Sequence, residues 1–154
     1  MPEKQFHNEG FTLIELLVVI SIIALMASAV LAAFSVARAR SRDTKRKSDA
    51  AIIRKALELY LQGAGNGLYP NGGTMPAPNT AYDAQLLGTF LVPAQLTAIP
   101  SDPLTGPAVY QYAWANNGRD YIIIIPFNND GGTTCKFTSP GAAAIFGGIP
   151  VCNY

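Results

Sequence analysis

The chain is short of the side chains that do chemistry. Its 154 residues include one histidine, His7, and two cysteines, Cys135 and Cys152. His7 lies in a short polar stretch ahead of the first apolar residues. The remainder of the chain therefore lacks the commonest general base and the Ser-His-Asp arrangement. Two cysteines without a second kind of soft ligand do not complete a zinc site from one chain. No glycine-rich phosphate-binding pattern is present. Asp102, Asp120 and Asp130 are separated by loop and turn residues, and nothing marks two of them as an acid/base pair, so they read as turn and cap aspartates. The expectation is a protein that is not an enzyme.

Two further absences shape the fold. No glycine or proline occurs from Phe11 to Gln62, and after Pro2 the next proline is Pro70. Nothing there breaks a helix. Charge is scarce in two places. From Phe11 to Ala37 the only charged side chain is Glu15, and residues 62–154 hold only Arg119 and Lys136 against Asp83, Asp102, Asp120 and Asp130. The net charge of +1 points to no partner by itself.

What is present begins with the apolar run. A helix over residues 11–37 is about 40 Å long, enough to cross a bilayer with some tilt. Leu, Ile, Val and Ala dominate it, and Ala24, Ala27, Ser28, Ala32 and Ala33 offer small surfaces for close helix contact. A carboxylate inside a membrane costs roughly 3 kcal/mol, so Glu15 is a functional residue by default and requires a neutralising partner. Strong helix formers continue after Ala37, and Ile52, Ile53, Ala56, Leu57 and Tyr60 recur at helical spacing. The pattern predicts one helix over about residues 11–61, roughly 75 Å long, that is apolar all round in its first half and amphipathic over 38–61. Gly63 and Gly65 stop it.

The remainder, residues 62–154, reads as one small globular head rich in Gly, Pro, Asn and Thr. Residues 66–107 are mostly loop, with a short helix at Asp83–Phe90 and a turn at Pro93–Ile99. Val109–Trp114 and Tyr121–Phe127 flank Asn116-Asn117-Gly118-Arg119, a hairpin signal. Ile122–Ile125 is apolar without alternation, so both faces of that strand are covered: the helix on one side, loops or neighbouring subunits on the other. Thr134–Thr138 is a candidate third strand. The fold class is α+β, a long N-terminal helix packed on a small antiparallel sheet.

Gly10-Phe11-Thr12-Leu13-Ile14-Glu15, followed by the apolar helix, resembles the N-terminal signal of type IV prepilins and type II secretion pseudopilins. The resemblance covers about residues 5–37. It implies a type IV pilin-like fold and a leader, residues 1–10, that prepilin peptidase removes after Gly10. It implies that Phe11 becomes the methylated N-terminus, and that Glu15 pairs with the new amine of a neighbouring subunit during assembly. The segment before the run is short and polar, and no small-x-small cleavage site follows the run, so this is not an ordinary secretory leader. The family relation further implies identical subunits, an inner-membrane assembly platform and an ATPase as partners. It implies a single-pass precursor in the cytoplasmic membrane with its head outside, then an extracellular pilus or a periplasmic pseudopilus. Many relatives carry proline where this chain has Ala32, so a more continuous helix is expected here.

Within that frame, two cysteines in an exported head read as a disulfide closing a loop of about 18 residues, contributing on the order of 3 kcal/mol. The alternative is two buried free thiols. Asn128-Asn129-Asp130 supplies oxygen donors of the kind calcium takes, near where major pseudopilins bind it. The segment lacks a second carboxylate and does not match an EF-hand loop, so it reads as a polar turn. The expectation is no cofactor, with calcium as the alternative.

Arg38, Arg40, Arg42, Lys45, Arg46 and Lys47 cluster just after the apolar run. They read as a solvated helix face, partly paired with Asp43 and Asp49, that also meets anionic headgroups or neighbouring subunits. Nucleic acid is a third reading that nothing else supports. The charge rule for membrane proteins would hold this cluster in the cytoplasm, whereas the cleavage signal places Gly10 there and the head outside. The cleavage signal is the more specific of the two. The function expected is a structural subunit of a type IV pilus-like filament. The first alternative is a pseudopilin of a secretion or DNA-uptake system, favoured by Asp102-Pro103 and Tyr110-Gln111-Tyr112, which are similar to the start of the major pseudopilin sheet. The residual alternative is a membrane-anchored binding module.

Overall fold

The computed structural model describes residues 10–73, 75–104, 109–127, 134–140, 142 and 147–152, apart from the side chain of Ala32. Helix α1 spans Leu13–Gln62, and two compact units, Met1–Arg38 and Ala39–Tyr154, divide within it.

In the first unit the helix is apolar on every side and no part of its most apolar window is buried. Large side chains from Phe11 to Val36 all lie exposed. Its hydroxyls are satisfied locally, with Ser21 Oγ donating to Val18 O at 2.8 Å and Ser28 Oγ to Leu25 O at 2.7 Å. Such self-contained hydrogen bonding suits a medium without water.

In the second unit α1 becomes one side of a core. Ala50, Ile53, Ala56 and Leu57 are buried, following the 3–4 residue spacing of one helix face. Ile52, expected on that stripe, is instead exposed at 42%. It sits about 100° from Ile53 around the axis, and the buried stripe runs through Arg46 and Ala50 instead. The helix ends through a glycine-rich turn in which Gly63 N donates to Leu59 O at 3.1 Å and Gly65 N to Tyr60 O at 2.7 Å. A Cβ on Gly65 would stand 2.1 Å from Leu68 O, so only glycine fits there.

Four antiparallel strands form one sheet in the order β1 (Tyr82–Asp83), β2 (Gln111–Ala115), β3 (Asp120–Pro126), β4 (Thr134–Thr138). The predicted helix at Asp83–Phe90 resolves into a 3-10 turn, Ala84–Leu87, that continues into a single α-turn, α2, Gly88–Leu91. The Asp83 side chain opens it by accepting from Gln85 N at 2.9 Å. Strand β1 carries no pattern of its own. Its two residues are extended because they pair with Tyr112 and Gln111.

Strand β3 buries both faces, as its unbroken isoleucines require. Ile123 and Ile125 join the α1 side of the core with Leu57, Leu87, Leu91 and Phe137. Ile122 and Ile124 pack under Ala142, with Ala81 and Ile149 beside them. That second cover therefore includes residues of the chain's own C-terminal segment. The segment also bridges the outer edge of β4, where Lys136 N donates to Pro150 O at 2.9 Å and Cys152 N to Lys136 O at 3.0 Å. Cys135 and Cys152 are joined by a disulfide at the same place.

The core contains Tyr69, Tyr110, Tyr112 and Tyr121, all nearly fully buried. Burial pushes the pKa of each phenol upward. For Tyr69 and Tyr110 the next cause is a hydrogen bond donated to a carboxylate: Tyr69 to Glu58 at 3.0 Å and Tyr110 to Asp49 at 2.8 Å. Because the folded values lie above the unfolded value near 10, this stability is complete below about pH 10 and falls as pH rises beyond it. The loss is on the order of 1 kcal/mol per tyrosine per pH unit. The head should therefore unfold in alkali with tyrosinate absorbance and loss of circular dichroism appearing together. Titration of these phenols near pH 10 with the fold intact would contradict it.

Candidate functional site

The candidate site is the start of α1. Thr12 is its N-cap: Glu15 N donates to Thr12 Oγ1 at 3.3 Å, and Leu16 N donates to Thr12 O at 3.3 Å. Glu15 reaches back, and its Oε2 accepts from Thr12 N at 2.9 Å and from Thr12 Oγ1 at 2.6 Å. This reciprocal arrangement is a capping box, which satisfies orphan amides at a helix start. The Thr-x-x-Glu spacing of residues 12–15 is its sequence signature, a local role for Glu15 beyond the assembly role expected of it. Glu15 thus has a partner within its own chain, and its carboxylate also sits where the helix dipole favours negative charge.

Gly10 and Phe11 lie before the cap and are exposed, Phe11 at 83%. A Cβ on Gly10 would touch nothing within 4 Å among the described residues, so no packing against them requires glycine there. Residues 6–31, which contain all of these positions, match the family model for the prokaryotic N-terminal methylation motif. The chain carries a prepilin-type signal. Such a signal marks a type IV pilin-like or pseudopilin precursor, a class of structural subunit. It implies processing by prepilin peptidase and assembly into filaments. With the apolar helix behind it, the prepilin-type signal gives a membrane-anchored precursor. No curated protein and no solved structure matches the chain.

The basic cluster behind the signal needs correction. Arg46 is not solvated; its side chain is fully buried. It donates from Nε and Nη2 to the two Asp102 oxygens at 2.7 and 2.9 Å, and from Nη1 to Asp43 Oδ1 at 2.9 Å. The Asp102 hydrogen bonds hold the guanidinium charged, raising its pKa further against the cost of burial. Asp102 keeps its expected turn role too, accepting from Leu104 N at 2.8 Å. Lys45 pairs with Asp49 at 3.3 Å and remains about half exposed. Arg38 stacks on Phe34 at 5.1 Å, Lys47 lies 6.0 Å from the Phe127 ring, and Arg40 is exposed. The cluster therefore divides into a buried latch, Arg46, that holds the Asp102 loop on α1, a half-buried Arg42, and an exposed set of Arg38, Arg40, Lys45 and Lys47.

The calcium candidate Asn128, Asn129 and Asp130 lies outside the described residues, as does the leader before Gly10. Among the described residues no three His, Cys, Asp or Glu side chains converge to hold a metal.

Proposed function

We propose that the chain is the structural subunit, of major or major-like pilin type, of a type IV pilus-like surface filament. The observation that supports this most is the helix of the first unit: apolar, uncovered by any of the described residues, and headed by one carboxylate, Glu15, inside a prepilin-type signal. Such a helix is stable in a bilayer and equally stable within a bundle of copies, so transfer between the two changes apolar burial little. Glu15 supplies register, because the Phe11 amine of a neighbour, freed by cleavage after Gly10, neutralises it. One such contact repeated head to tail does not close and yields a helical filament. Asp102-Pro103 and Tyr110-Gln111-Tyr112 also have structural roles in the latch and core, so they do not decide for a pseudopilin.

The test is to shear surface material from native cells and identify the N-terminal peptide by mass spectrometry. A peptide beginning at methylated Phe11 in the sheared fraction is the expected result. The same peptide confined to the membrane fraction would favour a pseudopilus, and an intact Met1 would overturn processing altogether.

A further inference from the structure

The fold sorts the basic cluster by sign of charge. Between Ala39 and Ile53 the acids are Asp43 and Asp49, and both are buried. Asp43 accepts from Arg46 at 2.9 Å, and Asp49 accepts from Tyr110 at 2.8 Å and from Lys45 at 3.3 Å. Arg46 is turned inward with them. The charges left toward solvent are of one sign: Arg40, Lys45 and Lys47 are exposed, and Arg42 is half-buried. Arg42 has no ion-pair partner among the described residues, and its Nε donates to none of them. Its charge is therefore uncompensated within the described chain.

These cations begin three residues past Ala37, where the apolar run ends, after Arg38, which lies against Phe34. From Arg40 to Lys47 they occupy about 10 Å of helix. The headgroup layer extends about 5–8 Å beyond the hydrocarbon on each side of a bilayer. Lys and Arg stems let the charged ends lean away from the backbone toward that layer, and the Debye length adds about 8–10 Å. The whole band therefore falls within range of lipid phosphates. The next exposed cations, Arg54 and Lys55, come about 25 Å past Ala37 along the helix, beyond that range.

We propose that Arg40, Arg42, Lys45 and Lys47 bind the phosphates of anionic phospholipids in the leaflet on the head side of the membrane, a role that rests on the membrane-anchored reading of the apolar helix. A guanidinium takes a phosphate through two parallel hydrogen bonds, and an ammonium acts on it as a point charge. Net lipid charge makes the selection. A zwitterionic lipid brings its own cation, which this band of like charges repels, and an anionic lipid does not. A nucleic acid duplex fits this place poorly. Its major groove alone is about 12 Å wide, more than the band, so a duplex seated on these residues would overlap the headgroup layer.

The experiment reconstitutes the full chain in phosphatidylcholine vesicles and compares the association of spin-labelled phosphatidylglycerol and spin-labelled phosphatidylcholine by electron spin resonance. Flotation with the vesicles at high salt first establishes that the helix inserts, and failure to float would remove the anchor and this proposal together. In the inserted protein, phosphatidylglycerol should be favoured by about fivefold or more at low salt, the gain expected from even one cation at an anionic surface. High salt should lower that preference. Arg40→Gln with Lys47→Gln, both at exposed positions, should reduce it by about twofold or more while the native disulfide and circular dichroism are retained. Arg42→Gln should reduce it too, and Lys55→Gln should leave it unchanged. Equal association of the two lipids, or a preference indifferent to Arg40→Gln with Lys47→Gln, would overturn the proposal and leave the anchor standing. Binding of a duplex oligonucleotide that depends on the same two residues, without lipid preference, would also overturn it and assign the band to nucleic acid.

Discussion

Glu15→Ala should give a subunit that is cleaved after Gly10, methylated at Phe11, and absent from sheared filaments, with filament yield down by at least about tenfold. The expectation follows from the charge alone: residues 11–37 offer one carboxylate on an otherwise apolar helix, and assembly would replace its present partner with the amine of a neighbour. The capping box supplies a control. Glutamine at the same position retains a side chain able to accept from Thr12 N, since Gln serves at this place in capping boxes as well as Glu. Glu15→Gln therefore keeps the helix start and removes only the charge. Failure of both variants, with normal processing, assigns the defect to the ion pair. Filament formation by Glu15→Gln at the wild-type level would show that Glu15 acts as a cap, and the assembly role would be withdrawn. Immunoblots of sheared and membrane fractions, with mass spectrometry of the N-terminal peptide, separate these results.

Arg46→Ala should destabilise the head by about 3–5 kcal/mol, the usual cost of stranding a buried charge partner. Asp102 and Asp43 would be left with their side chains at 2% and 9% exposure and no guanidinium between them. That is a large part of the 5–15 kcal/mol that holds a typical domain together. The adjacent Lys45→Ala, which removes a half-exposed pair with Asp49, should cost less than about 1 kcal/mol. Urea melts of the two variants in detergent, followed by circular dichroism of the sheet, would show the contrast. Equal midpoints would mean that Arg46 belongs to the solvated cluster after all. The wild-type pair is not itself a large net gain over an apolar replacement, because two ions had to be desolvated. Its effect is to tie the Pro100–Leu104 region to one register on α1.

The long helix, its stop at the glycines, the hairpin at Asn116–Arg119 and the strand at Thr134–Thr138 were legible because each depends on neighbours in sequence: uninterrupted helix formers, turn residues, and short β-rich runs. The N-terminal signal was legible for the same reason, being a contiguous motif at fixed spacing. The Thr12–Glu15 capping box belonged to that class too, and its four-residue signature was present to be read.

Other features depended on partners far along the chain. Nothing local distinguishes Arg46 from Arg42 or Lys47; it is buried because Asp102, 56 residues later, closes on the face of α1 that it occupies. Ile52 and Ile53 are equally apolar, and only the contact with the sheet chose Ile53 for the core. Strand β1 exists through its pairing with β2, and the second face of β3 is covered by residues of the C-terminal segment beyond β4. Local sequence sets backbone preference and the period of apolar residues, which are near-neighbour quantities. Which face is buried, and which charge is taken out of water, depends on the free energy of surfaces meeting, and only the tertiary structure brings those surfaces together.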